Sequence, residues 1–487
     1  MKKADSYEAV IGLEVHAQLS TESKLFSADP NGFGAEPNQH VSVVSLGHPG
    51  SLPRLNGKVV EYAIRLGLAA HAEISSSVTF ARKHYFYTDL PKGYQISQHG
   101  SPICRGGYIY IRTQTGQKKI RLIRIHIEED AGKSIHDRQP DASLIDLNRA
   151  GIPLLEIVSE PELKSGEEAQ SYLGEIRRLV RYLDISDGNM EEGSLRCDAN
   201  VSVRKKNETR LGTRTEIKNL NSISNVSKAI EFEAERQVAL LDKGGVVIQQ
   251  TLGYDDQRAL TFPLRSKEEA EDYRYFPEPD LNPLPIDSDW VSRIRAELPA
   301  LPQERYLRYT SDFQLSAQDA AVLVESRDQA EYFEALVEQT GAPKAAANWI
   351  LGPVRSWLND RYAGMVEFPL SPVRLGSLIS LTMRGKVSYT AAQQKIFPEL
   401  IRQPEADPLE LARQLDIILE SDTGTIIKHV REALDKYPDK IREYHRGKKG
   451  LVGLFMGEIM KSTGGKADPA VASNLIKEEL HKRKQHD

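Results

Sequence analysis

Two residues near the start of the chain, Glu14 and His16, stand two apart in Ala9-Val10-Ile11-Gly12-Leu13-Glu14-Val15-His16-Ala17-Gln18-Leu19. Side chains two apart on a strand share a face, so a carboxylate and an imidazole project side by side. Such a pair is half of a metal site or an acid/base couple, and it also occurs on edge strands where both residues simply face water. A denser acidic run, Glu128-Glu129-Asp130, closes the apolar strand Arg124-Ile125-His126-Ile127 and runs into Ala131-Gly132-Lys133. Three consecutive carboxylates repel one another unless a cation sits among them or they face water, which makes a hard-cation site the sharper reading. In a continuing strand Glu128 and Asp130 share one face and Glu129 takes the other, so spacing leaves open which oxygens bind. Glu191-Glu192 and Thr215-Glu216-Ile217-Lys218-Asn219 add further acids, of a kind that is commonly solvated or ion-paired.

Basic and aromatic residues interleave in Arg82-Lys83-His84-Tyr85-Phe86-Tyr87. The cations suit phosphates and the rings suit base stacking; a half-buried strand packing its tyrosines on a core reads equally well. Asn148-Arg149-Ala150-Gly151-Ile152-Pro153 is a turn whose Arg either holds a phosphate or caps the fold. There is no Gly-x-x-x-x-Gly-Lys-Ser/Thr loop, no kinase-type glycine loop, no Gly-x-Ser-x-Gly elbow and no His-Glu-x-x-His. If the chain handles ATP, it does so through carboxylates, a metal and Lys/Arg.

The elements that must position these groups are short strands with a few helices and many Gly/Pro breaks up to about residue 292. Val41–Leu46, Tyr108–Ile111, Ile120–Ile127 and Leu195–Arg204 read as strands, the second and third paired around Thr115-Gly116. Val59–Ala72, capped by Asn56, Glu167–Leu183 and Val226–Leu241 carry apolar residues at helical spacing. Tyr275–Pro285 holds four prolines, reads as irregular, and looks like a tail strapped across this domain. From Trp290 the pattern is helical, with segments near 314–340, 342–359 and 372–384, and it changes again at Glu405-Ala406-Asp407-Pro408. The expected fold class is α+β: a cradle-like mixed-sheet domain over 1–292, a helical domain over 293–405 and a helical tail over 406–487.

The length of 487 residues allows two to four domains. Charged residues make up 27% and the net charge is −5, so attraction to polyanions must come from a local patch. Residues 423–487 supply one, with fourteen Lys and Arg against nine Asp and Glu; a solvated helical end and a nucleic-acid-contacting tail both fit it. Two distant cysteines, Cys104 and Cys197, argue for a reducing compartment. No leader-like segment and no membrane-spanning run are present, and a cytoplasmic location is expected.

Many phrases in order then resemble one family, the B subunits of the bacterial aspartyl/glutamyl-tRNA(Asn/Gln) amidotransferases. They are Ile11–His16, Arg82–Tyr87, Gly93–Gln98, His126–Lys133, Leu154–Pro161, Met190–Asn200, Glu216–Asn221, Asp272–Asp280, Leu301-Pro302, Asn348-Trp349 and Gly453–Lys461. The resemblance spans essentially the whole chain. It implies phosphorylation, from ATP, of the side-chain carboxylate of a glutamate or aspartate mis-charged on tRNA(Gln) or tRNA(Asn), then displacement of phosphate by ammonia. It implies ATP and Mg2+, a partner glutaminase (amidase) subunit supplying the ammonia, and a small third subunit in a heterotrimer. Glu14 and His16 then match the family's metal-binding strand, and Glu128 or Glu129 and Glu216 its other acidic positions. Lys83 matches a site lysine expected to touch phosphate or the acyl group. Arg196, Asp198 and Asn200 form a polar strand face in the same cradle. Tyr85 and Tyr87 would line the pocket for the aminoacylated 3' end, and Lys448, Lys449, Lys461 and Lys466 would belong to the domain that grips the tRNA's outer corner. Where many members carry a Cys-x-x-Cys zinc site, this chain has Ser27 and His40, so no zinc is expected. His84 and Thr88 replace an expected Asn and Pro. A metal-dependent hydrolase or ligase on small acids and a non-catalytic tRNA-binding scaffold are the competing readings.

Overall fold

A computed structural model describes residues 6–114, 116–135, 142–266, 273–420 and 422–484. Thr115 of the expected turn, Asp272 and Met1–Asp5 lie outside the described residues. The chain divides into two units, 1–304 and 305–487, and its class is α+β.

The first unit is organised by the strand Tyr7–Gln18, which sits in the middle of a ten-stranded sheet. It pairs antiparallel on one side with Pro153–Ser159 and on the other with Leu195–Lys205. Gly116–Glu129 continues the sheet beyond Pro153–Ser159, and Thr215–Leu220, Gln250–Asp255 and Leu260–Ser266 continue it beyond Leu195–Lys205. Only Thr215–Leu220 and Gln250–Asp255 run parallel among the described strand pairs.

Strict alternation makes the two sheet faces chemically different. On one, Ile11, Leu13, Val15 and Ala17 join Leu155, Ile157, Ala199 and Val201 in an apolar core. The helices Gly57–Ala69, Gly166–Tyr182 and Ile223–Asp242 bury their apolar stripes in that core. Each starts on the residue type that satisfies its first free N–H groups: Asn56 accepts from Lys58 N at 2.9 Å, Ser165 from Glu168 N at 3.1 Å and Ser222 from Asn225 N at 3.1 Å. The other face carries the charged residues.

Two sequence expectations fail in this unit. Val41–Leu46 is a chain of turns, because Asp29 takes the Ser42 N–H at 3.1 Å and the Ser42 hydroxyl at 3.0 Å, drawing the backbone out of an extended ladder. The proline-rich strap holds two short edge strands, Phe276–Pro277 against Ala81–Arg82 and Leu284–Pro285 against Ser77–Val78. An edge position tolerates a residue with no N–H to donate.

The second unit is helical and holds two apolar cores, one drawn from residues 309–412 around Trp349, Phe333 and Leu375, the other from 426–480 around Phe455, Val430 and Ile476. The expected 314–340 helix is broken into Ala317–Leu323 and Arg327–Thr340, the second capped by Ser326. Pro353 widens the next helix into a π turn, Ile350–Val354, because it cannot donate to the ladder. No helix among the described residues is long and apolar enough to cross a membrane.

Candidate functional site

Register assembles the polar face row by row. His16 lies opposite Glu156 on one neighbour and Arg196 on the other, and Glu156 lies opposite His126 on the next strand. One row across four strands therefore reads His126, Glu156, His16, Arg196. Glu14 faces Asp198, and Asn200 faces Glu216, one step further along. Glu128, at the end of its strand, closes the other side.

These side chains line a cleft of about 660 Å³. At its floor His16, Glu128 and Glu156 bring one ligand atom each within 4.8 Å of one another. His16 Nε2 is 3.3 Å from Glu156 Oε2 and 3.7 Å from Glu128 Oε1, and His126 Nε2 is 3.5 Å from Glu156 and 3.6 Å from Glu128. Two oxygens and one imidazole nitrogen make a mostly hard donor set, suited to a small divalent cation that keeps further positions for phosphate oxygens.

The charged groups at the floor act directly on one another's protonation. Burial pushes the His16 imidazole down, but its hydrogen bond to Glu156 and the charges of Glu156, Glu128 and Asp198 outweigh this and hold it up at about 9. Burial opposes ionisation of Glu156, yet His16, His126 and Arg124 keep that carboxyl well below its ordinary range. Glu14 goes the other way: burial first, then the charges of Glu156, Glu216 and Asp198, raise it.

The model of the GatB/GatE catalytic domain matches residues 9–292, and that of the GatB domain matches 331–480. The chain belongs to the GatB/GatE family. It is 48% identical over 475 residues, 98% of each chain, to the B subunit of the aspartyl/glutamyl-tRNA(Asn/Gln) amidotransferase of Prosthecochloris aestuarii. It is 48% identical to the protein of that name from Geotalea daltonii, over 97% of this chain and 99% of the relative, and 49% identical to that of Chlorobium luteolum with the same coverage.

Within this GatB/GatE fold the residues singled out from sequence separate into groups. Glu14, His16, Lys83, Tyr85, Glu128, Arg196, Asp198 and Glu216 all line the cleft. Asn200 supports it, donating to Glu14 Oε1 at 2.9 Å. Glu216 lies toward the far side of the floor, where it accepts from Thr251 at 3.1 Å and pairs with Lys218 at 3.2 Å. Glu129 alternates away from the cleft: it accepts the Ile96 N–H at 2.8 Å, pairs with Lys92 and borders a separate cavity of about 210 Å³. Arg196 is tied to Asp130 at 2.6 Å, and Asp198 to Lys218 at 2.7 Å. Tyr87 is exposed, 5.9 Å from Tyr85 between ring centres. Arg149 donates to the carbonyls of Ala131 and Gly132 and so braces a turn.

Sequence reasoning named Glu156, His126, Lys218, Tyr273 and Tyr275 only inside longer phrases and gave none of them a role, yet all five line the cleft. Glu156 had a usable signal: it is the lone charge in Pro153–Ser159, a strand otherwise buried on both faces. In the second unit Lys448 pairs with Glu443 at 3.0 Å, Lys466 with Asp416, Lys449 lies over the Tyr444 ring at 4.1 Å, and Lys461 is exposed.

Proposed function

We propose that this chain activates the side-chain carboxylate of Glu-tRNA(Gln) or Asp-tRNA(Asn) by phosphorylation from ATP and passes it to ammonia, giving the amide. The carboxylate oxygen takes the γ-phosphoryl group and ADP leaves. Ammonia then adds to the carbonyl carbon, the carbon–oxygen bond to phosphate breaks, and the nitrogen loses a proton. The convergence of His16, Glu128 and Glu156 on one point in the cleft is the observation that carries this reading. Phosphoryl transfer needs charge neutralisation and in-line positioning more than a protein nucleophile, and nothing in the reading asks for one.

Magnesium held by His16, Glu128 and Glu156, with Glu14 and Glu216 on the same floor, would neutralise phosphate charge as a Lewis acid. Lys83, above the floor, would bind the phosphoryl or acyl oxygen. Arg196, Asp198 and Asn200 would shape the nucleotide side of the cleft, and Tyr85 with Tyr87 would wall the 3' end of the tRNA. Burial and carboxylate neighbours keep the nearby charges fixed, so little reorganisation accompanies the transfer.

The relatives' designation as one lettered member of a larger enzyme supports assembly with a glutaminase that delivers ammonia and with a small third chain, in the cytoplasm where tRNA is used. Residues 1–292 would do the chemistry, 293–405 would connect, and 406–487 would meet tRNA through Lys448, Lys449, Lys461 and Lys466. The test is phosphate release from labelled ATP by the reconstituted complex, with and without mis-acylated tRNA, in the wild type and Glu14→Ala. Release should require the tRNA and fall in the variant. Release indifferent to tRNA would favour a ligase acting on small acids; tRNA binding with no release at all would leave a scaffold.

A further inference from the structure

Lys83 holds its place in an unusual way. Among the described residues its ammonium has no carboxylate within ion-pair distance; it stands 4.8 Å from the ring centre of Tyr273 and 5.9 Å from that of Tyr85. Tyr273 leads into the proline-rich strap, so the strap supplies one wall of the lysine's site. Tyr275 extends that wall, 6.1 Å from Tyr273 and stacked on His99 at 4.0 Å.

At the end that carries Tyr273, the backbone alone holds this strap weakly. Its pairing with Ala81–His84 is two residues long and one of them is Pro277. Two flanking hydrogen bonds, His84 N to Tyr273 O and Glu278 N to Phe80 O, both at 2.9 Å, complete the main-chain contact at this end; the other pairing, Leu284–Pro285 on Ser77–Val78 with Ile286 N to Ser76 O at 2.8 Å, lies beyond Glu278 and leaves Tyr273 to the first. So short a pairing is marginal in water. A side-chain fork makes up the difference. Arg82 Nε donates to Glu278 Oε2 at 2.7 Å and Nη2 to Oε1 at 2.8 Å, with a further contact to Asp280 at 3.1 Å. Glu278 is 3% exposed, and the guanidinium lies over the Tyr94 ring at 4.3 Å. Arg82 and Lys83 are adjacent on one strand, so alternation sends the fork to one side and the ammonium to the other.

We propose that the Arg82–Glu278 fork is the positioning element for Lys83: it docks the strap, the strap places Tyr273, and the rings place the ammonium over the cleft floor. The proposal rests on Lys83 acting in phosphoryl or acyl transfer as read above. Arg82 does not line the cleft; it acts through its neighbour. Arg is required because only a planar fork grips both carboxylate oxygens, and a lysine there keeps the charge but loses one of the two bonds.

The test is a double-mutant cycle in the reconstituted complex, reading tRNA-dependent phosphate release, with Arg82→Lys, Lys83→Met and the two together, and Glu278→Gln as a second single variant. Thermal unfolding of each variant separates loss of fold from loss of position. Arg82→Lys and Glu278→Gln should each lower kcat about tenfold to a hundredfold, the scale of an ångström's misplacement, with the KM for ATP within about twofold. The double variant should be no slower than Lys83→Met alone, within about twofold, because the fork has nothing left to position. Losses that multiply, or an Arg82→Lys variant with lowered Tm and unchanged kcat, would overturn the proposal. A wild-type complex with no tRNA-dependent release would instead overturn the functional reading beneath it.

Discussion

The lysines of the first unit and those near the end of the second obey different physics. Lys24 is fully buried, its ammonium donating to the His40 carbonyl at 2.6 Å. Lys218 is wedged between Asp198 and Glu216, and Lys83 stands among rings. Lys448, Lys449 and Lys461 are exposed, and Lys448 pairs with Glu443, five residues away on the same stretch of chain. A buried cation is placed by strands far apart in sequence, and its surroundings set its charge state. An exposed one is placed by its own stretch of chain, is screened by salt, and acts with its neighbours as a field. Removing a cleft charge therefore breaks a specific geometry, whereas removing a tail charge lowers a sum.

The contrast is sharpest at the shared row. Glu156→Ala deletes the carboxylate that meets both His16 and His126, and tRNA-dependent phosphate release should fall about a hundredfold to a thousandfold, with weaker manganese binding by calorimetry. Lys218→Met leaves Asp198 and Glu216 facing each other without a cation. Discounted for partial exposure, this should cost about 1–2 kcal/mol, read as a lower midpoint of thermal unfolding.

Lys24 tests the claim that burial sets charge state. Burial, only partly offset by Asp29, Glu129 and Asp146, lowers its pKa to about 8 from an ordinary 10.5. The unfolded chain then holds the proton more tightly than the folded one, so this group penalises folding fully below pH 8 and progressively less up to 10.5. Urea midpoints of the wild type should gain on those of Lys24→Met as pH rises from about 8 toward about 10; parallel curves would place the ammonium in water.

The smallest effects belong to the tail. Lys461→Ala and Lys449→Ala should each weaken tRNA binding about twofold to threefold and reduce the slope of log affinity against log salt by about 1. A loss on the scale of Glu156→Ala from either would collapse the contrast.

Much of the architecture was legible because it is local. Asn56 announces its helix by capping chemistry, the two later helices show in their apolar spacing, and the alternation in Leu195–Lys205 shows its two faces directly. Val41–Leu46 misled because side-chain bonds from a distant Asp29 compete with the extended backbone, and the strap misled because its prolines are harmless at an edge. The site was legible in part for the same reason. Glu14 and His16 share a face by spacing alone, and alternation already set Glu128 apart from Glu129.

What spacing could not supply is which strands are neighbours. That Tyr7–Gln18 lies between Pro153–Ser159 and Leu195–Lys205, in a register placing His16 against Glu156 and Arg196, depends on how the whole sheet buries its apolar face on three helices. Residue types and the two-residue period therefore named His16 and Glu128 among the groups able to hold a cation, but not Glu156. Long-range pairing brought Glu156 to meet them, gave Glu129 its buried partners Ile96 N–H and Lys92 away from the cleft, and brought a strap from far along the chain to stand beside Lys83. Local period is a property of a few bonds, while register between distant strands is fixed by burial summed over the domain.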